Sequence, residues 1–235
     1  MVSAASYIGQ RVLDAVVVYA EMLPSLDNFV SYGADVFKTR PDYRQKVLDI
    51  YETAMTHDNL GDSDRINGCK LVESVLLNLT GHIDDVRMRS SCHPTQLTDV
   101  ALFPRKHIQN IIKVAIDHID GGHTYSFKLA NLIVLINTVY YNPTASLHLM
   151  ENYKPGAARL FFDTWFKAIN TEDKLPRVHD KKLSLLTLSK LLELDGATIP
   201  ASLQEGWFGI VGGALVIFKS LPQAISSELF LFSEG

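Results

Sequence analysis

Apolar residues recur along most of this chain at the three- and four-residue spacing of an α-helix, in segments cut to length by proline and glycine. No other feature restricts the fold as strongly. Val47, Ile50, Tyr51 and Ala54 share one face of a helix starting near Pro41, where proline suits the first turn. Val72, Val75, Leu76 and Leu79 do the same in a helix capped near Asp62 to Asp64 and closed by Gly81. Ile108, Ile111, Ile112, Ala115 and Ile119 follow Pro104 and end at Gly121 and Gly122. Leu129, Leu132, Ile133, Ile136, Val139 and Tyr140 follow Thr124 and stop at Asn142 and Pro143. Ala158, Phe161, Phe162, Trp165 and Ile169 come next. Leu185, Leu188, Leu191 and Leu192 then lie in a helix from about Arg177 to Leu194, and a last helix is expected from about Pro200 through Phe218. Upstream, 12–22 and 25–32 read as one more pair. Alternating runs are short, and Asn67-Gly68 sits inside a helical pattern instead of between strands, so the fold class is all-α.

The helices come in pairs. First helices start near Pro41, Pro104, Pro155 and Ile199, about 63, 51 and 44 residues apart, against about 40–47 for repeats of the HEAT and armadillo type. The middle interval holds an extra short helix, Thr144–Glu151, and the first holds Val86–Phe103, which has no helical period and reads as an inserted loop. Leu183, Leu185, Leu186, Leu188, Leu191 and Leu192 make one helix apolar on more than one face, as a helix sandwiched between repeats must be. The expectation is one α-α superhelix (a HEAT/armadillo-type solenoid) of about four to five helix pairs over 1–235, with an atypical tail at 223–235. A compact helical bundle is the competing architecture.

With 47% hydrophobic and 20% charged residues the chain is too apolar for a disordered tail. A net charge of −4 argues against direct nucleic-acid binding. Cys69 and Cys92 cannot make a disulfide framework or a four-cysteine zinc site. The longest apolar runs, Leu129–Tyr141 and Trp207–Phe218, are interrupted by Asn131 and Asn137 and by Gly209, Gly212 and Gly213, so both read as core helices and no membrane insertion is expected. Arg11 and Asp14 in the N-terminal apolar stretch argue against a signal peptide.

A search for chemistry finds residues but no constellation. His179-Asp180 could ligate metal as in helical phosphohydrolases, yet His118, His123 and His148 stand in no companion motif. The plainer reading is a helix start, with Asp180 favouring the dipole and Lys181 and Lys182 on the solvated face. His148 and Glu151 have the spacing of a bundle metal ligand pair in reverse, without the further carboxylates such a site needs, and read as helix surface. Cys69 reads as a packed small side chain, and Cys92 beside His93 is short of a zinc site. Gly209, Gly212 and Gly213 form no phosphate loop and suggest close helix packing. His57, His82 and His107 sit near helix ends as caps or surface residues, and Phe161, Phe162, Trp165 and Phe166 read as core between repeats. No catalytic, cofactor-binding or metal site is expected, which favours a binding surface.

Several strings, in order, carry a resemblance: Met22 through Val30 (MLPSLDNFV), Ile50-Tyr51, Lys70 through Leu77 (KLVESVLL), Val139 through Pro143 (VYYNP), Phe162 through Trp165 (FDTW) and Val178 through Leu183 (VHDKKL). Over about 22–222, except the insert, the chain resembles the C-terminal end of importin-beta superfamily receptors, most of all the importin-7/importin-8 branch. That resemblance implies a HEAT-repeat superhelix carrying cargo proteins through the nuclear pore, with cargo released by the GTP form of Ran and with nucleoporins as partners. It places the protein in nucleus and cytoplasm, at the pore in transit. Cargo of this branch includes basic proteins such as ribosomal proteins and histones, and the mild acidity here is compatible with it. In the family the second helix of each pair lines the inner face, which makes Lys70, Glu73, Lys128 and Asn131 candidate cargo contacts. The sequence is about a quarter of a full receptor and lacks the repeats that chiefly engage Ran. The insert at 86–103 and the tail depart from the family and suggest a partial or mis-spliced gene model. The alternatives are a HEAT or armadillo adaptor without a transport role, and a helical metal-dependent phosphohydrolase using His179 and Asp180.

Overall fold

The computed structural model describes residues 22, 25–83, 106–170 and 175–233, with backbone alone for 106 and 227–233. The inserted loop expected at 86–103, with Cys92 and His93, and the helix expected over 12–22 apart from Met22 lie outside the described residues.

Every regular element among the described residues is helical. Residues 25–32 form α1, followed by α2 (Ala34–Thr39), α3 (Pro41–Thr56), α4 (Asp62–Asn78), α5 (Lys106–Ile119), α6 (Tyr125–Tyr141), α7 (Pro143–Tyr153), α8 (Ala157–Asn170) and α9 (Val178–Leu192). Two short 3₁₀ turns, Gly196–Thr198 and Ala201–Gly206, lead into α10 (Gly209–Ser233).

Helix boundaries follow the sequence signals. Pro41 opens α3, and the buried Arg44 donates to the carbonyls of Phe37 and Lys38, closing the end of α2. Asp64 accepts from the Gly61 backbone N–H at the start of α4, and Gly81, at φ +80°, turns the chain after it. Asn142 caps α7 by accepting from the Ala145 N–H, with Pro143 next to it. Glu151, expected on a helix surface, instead caps α8: it accepts from the Gly156 and Ala158 N–H groups and from the Ser202 hydroxyl.

The pairs stack as the spacing suggests. First helices α3, α5 and α8 lie side by side in one layer, and second helices α4, α6 and α9 in the other. Within the first pair Gly68 brings α4 against α3, since a Cβ there would stand 3.2 Å from the Ala54 Cβ. The α6 helix lies between α4 and α9, and 131–139 are buried without a break. Short α7 wedges against α5, α6 and α8. This is an all-α, HEAT-type arrangement in which each pair seals the next. The aromatic run of α8 belongs to that seal: Phe161 and Trp165 are fully buried, and the Trp165 indole N–H donates to Ser184 of α9 at 3.1 Å.

The last element differs from expectation. Residues 201–206 form a 3₁₀ turn, and α10 begins at Gly209 and continues past Phe218 to Ser233. Pro222 lies inside α10; it removes one backbone hydrogen bond without ending the helix, and Ser226 donates to its carbonyl. The stretch Gly209–Ser226 is therefore long and apolar enough to cross a membrane by length and composition, which a run ending at Phe218 is not. One stripe of it packs: Ile210 and Ile217 are buried, and a Cβ on Gly213 would stand 2.4 Å from Phe166 of α8. Gly213 thus serves close packing as read from the sequence. Gly209 and Gly212 do not, having open space around them.

Candidate protein-binding face

The second helices leave a groove of about 780 Å³ between α4, α6 and α9. Its floor is Ile66, Cys69, Leu129, Ala130, Ile133 and Leu175, and its charged walls are Lys70, Glu73, Arg177, Asp180 and Lys181. A second hollow of about 540 Å³ lies between α6 and α8 and shares Tyr125 and Leu129 with the first; it carries Asp120, Lys128, Asp163 and Lys167.

Arg177, at the N-terminus of α9, organises the first groove. Its Nε donates to Asp180 Oδ2 at 2.9 Å and its Nη2 to Glu73 Oε1 at 3.2 Å. Nη2 also stands 2.7 Å from Asp180 Oδ1, an ionic contact whose alignment falls short of a hydrogen bond. Glu73 and Asp180 are both buried, so one half-exposed guanidinium holds two carboxylates that would be costly alone. Burial dominates at Glu73 and pushes its carboxyl up to about 7; Arg177 opposes the rise, and Asp180 adds to it. The Cys69 thiol beside it is driven far above its ordinary value by burial, which makes it an inert packing group.

The four residues expected to meet cargo fall in different places. Lys70 is exposed at the groove wall, and Lys128 is half-buried in the second hollow. Glu73 lines the groove but is committed to Arg177. Asn131 is 0% exposed, its amide donating to the Phe127 carbonyl one turn back, so it lies inside the stack. Arg177, Lys181, Tyr125 and Lys167 join the face unforeseen. Lys181 is a correction: it is buried at the groove, whereas Lys182 stays in solvent.

The helix parts the two residues of the His179-Asp180 string. Successive helix positions diverge by about 100°, and here His179 is exposed while Asp180 is buried against Arg177. His118 and His123 do meet, with ring centroids 5.2 Å apart over Phe127, and His123 contacts Asp62 at 3.2 Å. Asp62 also accepts from the Thr124 N–H, tying the start of α4 to the start of α6. This draws the Asp62 carboxyl below its ordinary value, chiefly through the Thr124 backbone. The cluster is a strut between repeats. His57, as expected, sits at a helix end, its carbonyl taking a hydrogen bond from Arg65.

A stack of helix pairs with an open, charged groove defines the class: an α-helical repeat scaffold. No family model and no solved structure matches the chain. Among curated proteins it is 25% identical over 91% of its length to an importin beta-like SAD2 homolog of Arabidopsis thaliana, covering 19% of that protein. It is likewise 25% identical over 90% of its length to importin-8 of Danio rerio, again 19% of that protein, and 26% identical over 72% to a probable importin-7 homolog of Dictyostelium discoideum, 14% of that protein. The chain spans about a fifth of the length of the first two of these relatives. These relatives are importins of the importin-beta type, and the chain is similar to them over part of their length.

Proposed function

We propose that the chain is the C-terminal part of an importin-beta-type nuclear transport receptor and holds cargo proteins on the face formed by α4, α6 and α9. In the full receptor it works with Ran GTPase and nucleoporins in protein import, shuttling between cytoplasm and nucleus through the pore. As a transport receptor it is not an enzyme.

One observation carries this reading: separate importins of plant and animal resemble the chain over about 90% of its length. The described part of the chain is a stack of helix pairs with an open groove. Such a stack flexes by small changes at each seam, which suits wrapping a protein better than enclosing a small molecule. An adaptor without a transport role would use the same architecture, so the test must be transport itself. A full-length receptor containing this segment is expected to carry a fluorescent cargo into nuclei of permeabilised cells and to release it on adding Ran with GTP. Retention of cargo in the presence of Ran-GTP, or no nuclear accumulation, would overturn the proposal.

A further inference from the structure

The whole chain is acidic, with 22 basic and 26 acidic residues, but the described residues around Tyr125 are not. Glu73 and Asp180 are both tied to the one guanidinium of Arg177, and Asp163 pairs with Arg159 at 3.1 Å. Among the described residues lining the two hollows, Lys70, Lys128 and Lys167 have no partner, against the single unpartnered carboxylate of Asp120. Tyr125, 52% exposed, and Leu129 lie between the cations, with Ile133 and Leu175 beneath. Local charge, not the sum over the chain, decides which partner is steered to a surface.

We infer that this face docks an acidic peptide segment carrying an apolar side chain, its carboxylates meeting Lys70, Lys128 and Lys167 and its apolar residue seated on Tyr125 and Leu129. The inference rests on the reading of this face as a cargo surface and changes the partner from basic to acidic. Lysines so spread track an extended chain, and the apolar floor between them gives the selectivity that charge alone lacks.

The test is fluorescence anisotropy on the full chain with a labelled peptide alternating glutamate and leucine. Comparison probes replace glutamate by lysine, replace leucine by serine, or use a single-stranded oligonucleotide. The Glu–Leu peptide is expected to bind, to weaken as salt rises, and to weaken by about tenfold in K128E/K167E and again in K70E. The serine peptide should bind more weakly. Circular dichroism on each variant checks that the fold is kept, and Lys→Ala versions give the same direction with a smaller effect. The inference is overturned if the lysine peptide binds as tightly or if charge reversal leaves affinity unchanged in folded variants. Equal binding of the oligonucleotide, lost in the same variants, would make the face a general polyanion site and overturn it too. Failure of nuclear import with peptide binding intact would sink the transport reading alone; import without peptide binding would sink this inference alone.

Discussion

The α6 and α10 helices are both strongly apolar, yet α6 is sealed and α10, over its described side chains 209–226, is largely bare. From Asn131 to Val139 every residue of α6 is buried, because α4 and α9 flank it and α5 lies behind it. Among the described side chains of α10, the fully buried ones lie on the stripe through Ile210, Gly213 and Ile217, which packs toward α8 and α9. Val211, Leu215 and Phe218 remain exposed, and Phe208 just before the helix is 88% exposed. Composition states how much surface a helix must hide; its place in the stack decides whether neighbours are there to hide it.

Paired truncations separate the two helices most sharply. Leu135→Ala in α6 is expected to cost about 2–5 kcal/mol in urea unfolding, and Leu215→Ala in α10 less than about 0.5 kcal/mol. Equal losses would mean that α10 is as enclosed as α6. Arg177→Ala tests what binds α9 to α4 across α6. Two buried carboxylates lose their partner, but Arg177 is half-exposed, so the cost should be about 2 kcal/mol by the same measurement. Gly213→Ala should destabilise the fold by about 1–3 kcal/mol, since its methyl meets Phe166, and so lower the melting temperature. Gly212→Ala has open space and should stabilise the fold by up to about 1 kcal/mol, raising the melting temperature.

Glu73 gives a pH test of the enclosed half. Its ordinary value is 4.5 and its folded value about 7. Between those values the folded chain keeps a proton that the unfolded chain has released. Stability contributed by this group is therefore complete at low pH, falls as pH rises through the window, and levels off above it. Unfolding measured across that range should show a slope that Glu73→Gln flattens; an unchanged slope in the variant would assign it to other groups.

Pattern alone made the stack legible because its signals are local. Pro41, Gly81, Thr124 and Pro143 mark helix ends that the structure keeps, and the pairing follows from the lengths between them. The binding face was legible only in part. Lys70 and Lys128 reach the groove and the hollow because their helix faces are set within the sequence. The burial of Glu73 and Asp180 depends on Arg177, and Glu73 and Arg177 are 104 positions apart, a separation no helical period encodes. Asn131 carried a readable sign: an isolated amide in an otherwise apolar run belongs to the interior when the whole helix is enclosed. The extent of α10 departs from the expected Pro200 through Phe218 at both ends: 201–206 close as a 3₁₀ turn, and the helix runs on through Pro222 to Ser233.

Arg177 reaches from α9 over α6 to Glu73 of α4, joining elements that are not adjacent in the stack. In a row of repeats held only by immediate contacts, each joint gives way on its own. A tie skipping one member makes the two joints beneath it strain together, like a strap buckled across three slats of a blind, so curvature in this stretch is shared instead of gathered at one weak place.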